Sequence, residues 1–309
     1  MKLYKPKFWN EKNFLSIILF PISLIVQLFA LIKQKSVKSL NFNIPVICLG
    51  NIYVGGTGKT PLSIYLANEL KKKGKNPVII RKYYKSHKDE ISLIKKKFGF
   101  LILNTNRANA IKEAERKGFD SVILDDGFQD HRIKKDLNII CFNSAQLGGN
   151  GLVLPAGPLR ESFDSLKRAQ IVMINGEKNK SFEEKIFKIN ENIKIFYSEY
   201  EPINAQQFKQ RKFIALIGIG NPENFLSLLS NIGVNIVKKY ILPDHYQFDK
   251  DEVSKIIQEA KDKNCQIILT EKDYYKVEDL SLERIECLKV DLNINKKEKL
   301  LETILKTYV

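Results

Sequence analysis

The sequence predicts an α/β protein: a first lobe on a mostly parallel sheet, a second and smaller α/β lobe, and an apolar helix ahead of both. Three observations carry this. Short β-branched runs, IPVICL, NPVII, FLILN, SVILDD, NIICF and QIVMI, recur between residues 44 and 174 and read as strands buried on both faces. Segments opening at Lys59 and Arg107 alternate with them at helical period. After residue 210 the alternation resumes with KFIALIGIG, NIVKKYIL, CQIILT and CLKVDL, and a closing helix starts at Lys296. The expected organisation is a helix over 1–40, a first lobe over 41–192, an extended crossing over 193–210 and a second lobe over 211–309.

With 309 residues, 44% of them hydrophobic, the chain can bury two modest cores. Cys48, Cys141, Cys265 and Cys287 are far apart, form no C-x-x-C pair and fall mostly inside apolar runs, so neither a disulfide framework nor a metal site is expected of them. A net charge of +16 suits a partner rich in phosphate, whether nucleic acid, anionic membrane or a phosphorylated small molecule. Compositional drift toward lysine explains the same excess. Arginine is scarce, with eight residues, which draws notice to Arg81, Arg107, Arg132 and Arg160 as bidentate phosphate binders. No stretch interleaves aromatics with arginines along a candidate groove, so no nucleic-acid partner is expected.

The run from Phe14 to Ile32 carries no charge and reaches the lower length for spanning a bilayer. Pro21 lies within it, lysines flank both ends, and Asn13, Ser16, Ser23, Gln27 and Gln34 fall on one helical stripe. These features favour a helix lying in an anionic membrane surface, with Tyr4, Phe8 and Trp9 at headgroup depth. A buried core helix is the alternative.

The stretch GNIYVGGTGKTP follows the first strand and opens a helix. Gly55, Gly56, Thr57, Gly58, Lys59 and Thr60 supply the parts of a phosphate-binding P-loop: backbone N–H groups around a phosphate, a lysine for the β- and γ-phosphates, and a hydroxyl for Mg²⁺. The strict pattern has glycine at position 53, where this chain has Tyr53. Asp125 and Asp126 end the strand SVILDD and supply the acidic element that a nucleotide-bound Mg²⁺ needs. Gly218-Ile219-Gly220 also follows a strand, but the third glycine of a dinucleotide fingerprint is absent and Pro222 suits the first turn of a helix.

Taken together, GNIYVGGTGKTP, DDGFQDHRIKKDLNII, LPAGPLRES, IGIGNPENF, LPDHYQF and LTEKDYYK resemble, in order and through most of the chain, the tetraacyldisaccharide 4′-kinase (lipid A 4′-kinase) family. The resemblance implies a P-loop NTPase-like lobe, a second lobe across an active-site cleft, ATP and Mg²⁺ as cofactors, and an acylated glucosamine disaccharide 1-phosphate as acceptor. It implies a peripheral or monotopic place at the cytoplasmic face of the bacterial inner membrane, with the first helix on the anionic lipid surface. Lys59 is then both a nucleotide-binding and a catalytic residue. Asp89 is implied as the base and His245 as its partner. Glu90 joins Thr60, Asp125 and Asp126 as a metal contact, and Arg107, Gln129, His131, Arg160 and Glu161 are implied at the acceptor.

The chain departs from the family pattern in places. Arg81-Lys82-Tyr83-Tyr84 stands for R-G-Y-G, Lys88-Asp89-Glu90-Ile91 stands for G-D-E-P, and Asp130 precedes His131 where the family places histidine first. Each site reading also has a plainer rival. Asp89 can be a solvated residue of the polar run KSHKDE, His245 a turn histidine, and Arg160 with Glu161 a structural ion pair. A P-loop enzyme acting on a soluble substrate, or a basic nucleic-acid-binding NTPase, is the competing function.

Overall fold

The computed structural model describes residues 6–84, 88–244, 246–278 and 283–308. It forms two compact units, neither continuous in sequence. One joins Tyr84–Lys97 to Tyr200–Asn293; the other joins Lys5–Tyr83, Phe98–Glu199 and Ile294–Val309.

In the larger unit the expected strands form as β1 (Val46–Gly50), β2 (Pro77–Lys82), β3 (Leu101–Asn104), β4 (Ser121–Asp125), β5 (Leu137–Asn143) and β6 (Ile171–Asn175). The extended crossing becomes β7 (Lys194–Pro202). The strands of this unit run in the order β7-β6-β5-β1-β4-β2-β3, and every pairing among them is parallel. Helices α2 (Lys59–Lys72), α4 (Arg107–Arg116), α5 (Lys180–Ile189) and α9 (Lys297–Leu305) belong to this unit. β1 lies between β4 and β5, so the turn after β1 and the carboxyl end of β4 are neighbours. Open parallel sheets bind ligands at such a switch point. Val46, Cys48, Val122 and Leu124 from these strands join Phe128, Phe142 and Ile186 in one buried core.

The first helix, α1 (Phe14–Ser36), is inverted relative to a core helix. Asn13 caps it in a reciprocal capping box with Ser16. Ser16 and Ser23 are fully buried, whereas Phe14 is 76% and Phe29 68% exposed. Ser23 Oγ donates to Val153 O at 2.7 Å and accepts from Ala156 N at 3.0 Å, and Trp9 Nε1 donates to Pro155 O. The polar stripe therefore faces the protein and the apolar faces point outward. The core-helix alternative is overturned.

The smaller unit carries the sheet β11-β10-β8-β9, built from β8 (Lys212–Ile217), β9 (Asn235–Ile241), β10 (Gln266–Thr270) and β11 (Ile285–Leu288). Its two faces bury alternate residues: Phe213, Ala215 and Ile217 in one cluster, Ile214 and Leu216 in another. Pro222 opens α6 (Pro222–Ile232) at its first turn. α3 (Lys88–Lys97), α7 (Lys250–Asp262) and α8 (Glu271–Val277) complete the unit. CLKVDL is not one strand. Asn204 accepts from Lys289 N and donates to Cys287 O, and Lys289 O accepts from Ile203 N, so the ladder is interrupted at Lys289 and the run splits into β11 and β12 (Val290–Ile294). The closing helix begins at Lys297, with Lys296 as its cap.

Candidate active site

The turn between β1 and α2 is shaped by its glycines. Gly55 has φ 124° and Gly58 has φ 84°, both in the region that side chains with a Cβ rarely adopt, and Gly58 caps α2. Asn51 Nδ2 staples the loop by donating to Tyr53 O and Gly55 O. Tyr53 is 2% exposed and forms a bridge with Leu159, while Val54 N donates to Pro158 O and Arg160 N to Ile52 O. The position where a strict P-loop has glycine is thus filled by a core tyrosine that ties the loop to the LPAGPLRES segment.

At the start of α2, Thr60 Oγ1 donates to Asp125 Oδ2 at 2.9 Å. Arg81 pairs with the same carboxylate and reaches Thr60 Oγ1 at 3.3 Å. Asp125 is fully buried, and its Oδ1 has no protein partner; nor does the buried Thr57 Oγ1. A buried, unpartnered oxygen is costly unless a ligand completes it. Asp126 turns out of the strand with φ 64°. Its carboxylate lies 3.5 Å from Lys59 Nζ and 3.1 Å from Arg160 Nη1, and Arg107 Nη2 donates to its backbone oxygen. Burial works against ionisation here, but Lys59, Arg160, Arg81 and Arg107 outweigh it and hold the Asp126 carboxyl well below the usual carboxylate range.

Beside these groups, Gln129 Nε2 donates to Asn51 O, fixing the loop from below. His131 and Glu161 meet on Arg168, which sequence reasoning missed: its guanidinium pairs with Glu161, lies 3.1 Å from His131 Nδ1 and stacks 4.3 Å from the Phe128 ring. Arginine only donates, so His131 Nδ1 accepts and the ring proton sits on Nε2. Burial first, then Arg168 and Lys135, lower the His131 pKa to about 4. The ring is thus a neutral donor of fixed tautomer. No sequence motif marks Arg168, because its partners lie 7 and 37 positions away.

In the smaller unit, Asp89 lies in the first turn of α3 and is 1% exposed, which overturns the solvated reading. Its Oδ2 faces two ammonium groups of α8, Lys272 at 3.5 Å and Lys276 at 3.7 Å. Lys272 also pairs with Glu90 at 3.3 Å and Asp244 at 3.0 Å. Burial would lower the Lys272 pKa, but Glu90, Asp244 and Asp89 raise it above its ordinary value. Thr270 caps α8 by accepting from Asp273 N, so the TEKD run is a cap as well as a charge cluster. His245, the implied partner of Asp89, lies outside the described residues. The structure gathers Lys59, Thr60, Asp125, Asp126, Arg107 and Arg160 in the larger unit; it holds Asp89 and Glu90 in the smaller one on Lys272.

Comparison with known proteins identifies relatives along the whole chain. A tetraacyldisaccharide 4′-kinase of Pelagibacter ubique is 42% identical over 99% of this chain and 98% of its own length. One from Rickettsia bellii is 35% identical over 99% of each. The crystal structure of LpxK from Aquifex aeolicus in complex with ATP superposes with a TM-score of 0.72 at 25% identity, covering 96% of this chain and all of that one. The family profile LpxK, described as tetraacyldisaccharide-1-P 4′-kinase, matches residues 15–309, and the chain belongs to that family.

Proposed function

We propose that this chain transfers the γ-phosphoryl group of ATP to the 4′-hydroxyl of a tetraacylated glucosamine disaccharide 1-phosphate, releasing ADP and the bisphosphorylated lipid IVA. The observation that carries the reading is the Thr60–Asp125 hydrogen bond beside the GGTGKT turn, in a chain whose family match runs from residue 15 to residue 309.

Backbone N–H groups of the turn from Gly55 to Gly58 and the Lys59 ammonium bind the β- and γ-phosphates. Thr60 and Asp125 suit Mg²⁺, because Asp125 Oδ1 is buried without a protein partner. Among the described residues no group of three or more His, Cys, Asp or Glu side chains could hold a metal. Mg²⁺, when bound, would supply positive charge against the phosphates. Asp126 orients Lys59 and Arg160 and is available as a further contact to the cation. Glu90 would have to leave Lys272 to serve as one. Asp89 accepts the proton of the 4′-hydroxyl, with His245 as its partner, and the Nε2–H of His131, the Arg168–Glu161 pair, Gln129 and the arginines at 107 and 160 recognise the acceptor.

The outward apolar faces of α1 lie in the cytoplasmic face of the inner membrane, with Lys33 and Lys35 of its last turn on anionic headgroups. A soluble substrate would give those exposed side chains nothing to cover them. The test is an ATP-dependent phosphorylation assay that compares the tetraacylated disaccharide 1-phosphate with deacylated disaccharide and free glucosamine. Turnover confined to the acylated acceptor is expected. Equal turnover of the soluble sugars would contradict the reading.

A further inference from the structure

The two ammonium groups beside Asp89 have no part in the proposed reaction as stated above, yet both converge on one oxygen atom. Lys272 and Lys276 are four positions apart on α8 and so share a face of that helix. Each reaches Asp89 Oδ2 from a different anchor. Lys276 is the more rigid. Its side chain is 2% exposed; its Nζ donates to Gly218 O at 2.9 Å and to Asp273 Oδ1 at 2.7 Å, and lies over the Phe248 ring. Asp273 in turn is fully buried and accepts from Gly218 N and Thr270 Oγ1 through Oδ2. The lysine is therefore fixed by groups on three segments before it touches Asp89.

The buried Asp89 carboxylate needs a cation, but Lys276 is already satisfied without it. Asp273, Lys276 and Gly218 already form a closed hydrogen-bonded set, and a buried ion pair satisfied in that way needs no third partner. Extending the set to α3, with a second ammonium on the same oxygen, locates that oxygen of the Asp89 carboxylate. Lysine stems are flexible, and an ammonium becomes a precise contact only when packing removes that freedom. Burial and two acceptors remove it here.

We infer that Lys276, assisted by Lys272, is a positioning residue that seats the Asp89 carboxylate for the acceptor hydroxyl. The inference rests on the reading of Asp89 as the base. A displaced base loses alignment without changing how ATP is held, so the consequence falls on kcat and not on nucleotide affinity.

The experiment is a cycle in the full chain: Lys276→Gln, Lys272→Gln and Asp89→Asn singly, and each lysine variant combined with Asp89→Asn. Glutamine keeps a donor for Gly218 O and Asp273 while removing the charge. With saturating acceptor, Lys276→Gln should lower kcat by about tenfold to a hundredfold, with KM for ATP within about twofold of wild type. In the Asp89→Asn background the same change should cost less than about threefold, because a residue acting only through Asp89 has nothing left to position. Lys272→Gln should follow the same pattern, and it carries the test if Lys276→Gln does not fold. A loss of equal size in both backgrounds, or a wild-type kcat in Lys276→Gln beside a crippled Asp89→Asn, would overturn the positioning role. A wild-type kcat in Asp89→Asn would instead overturn the choice of base.

Discussion

Lys59 and Thr60 adjoin in sequence but serve two different carboxylates, Asp126 at 3.5 Å and Asp125 at 2.9 Å. This division links the P-loop to both residues of the strand-end pair. Removing either side chain should leave the fold intact and lower phosphoryl transfer by at least about a hundredfold, since each is a charge or dipole directed at the phosphates. Steady-state kinetics of Lys59→Ala and Thr60→Ala test this; wild-type rates in either would contradict it. His131 carries a separate prediction. Its pKa is lowered from 6.5 to about 4, so between those values the unfolded chain binds a proton that the folded one does not. Its contribution to stability is complete above pH 6.5 and is lost as pH falls toward 4. His131→Gln cannot take up that proton, so its melting temperature should fall less steeply across the window. Parallel slopes for the two proteins would contradict the assignment. The P-loop residues were legible in sequence because they are contiguous. Arg168 and Lys276 were not, because their significance comes only from partners that folding delivers.

Among the elements, α1 shows the largest gap between composition and placement. Its polar stripe is visible in the sequence, but which face turns inward depends on the LPAGPLRES loop that receives Ser23. Ser23→Ala removes a partner from Val153 O and Ala156 N in a buried site, which should cost about 1–3 kcal/mol. Thermal or denaturant unfolding measures it, and an unchanged midpoint would contradict the anchor. On the other face, Ile25 and Phe29 are exposed. Replacing both with glutamate should abolish flotation with anionic liposomes while ATP binding is retained. Undiminished flotation would assign lipid docking to another surface. The strands of the larger sheet were legible because buried parallel strands are continuous apolar runs. CLKVDL reads as the same kind of run, and it is broken by Ile203 and Asn204, more than eighty positions upstream.

For the whole molecule, the strand order β5-β1-β4-β2 brings the phosphate turn and the acidic strand end together, although 65 positions separate Thr60 from Asp125. The alternation of strands and helices announces that topology. The transfer of Tyr84–Lys97 to the smaller unit is not announced, because no change in composition marks where the chain leaves one core for another. In the proposed reaction ATP is consumed to phosphorylate the acylated acceptor and is not merely hydrolysed. A single-turnover reaction followed by ³¹P NMR, with enzyme in excess over the tetraacylated disaccharide 1-phosphate, measures this most directly. The predicted result is a new phosphomonoester resonance at the 4′ position that grows in step with ADP and is absent with Lys59→Ala. ADP and inorganic phosphate appearing together while the acceptor stays unchanged would contradict it.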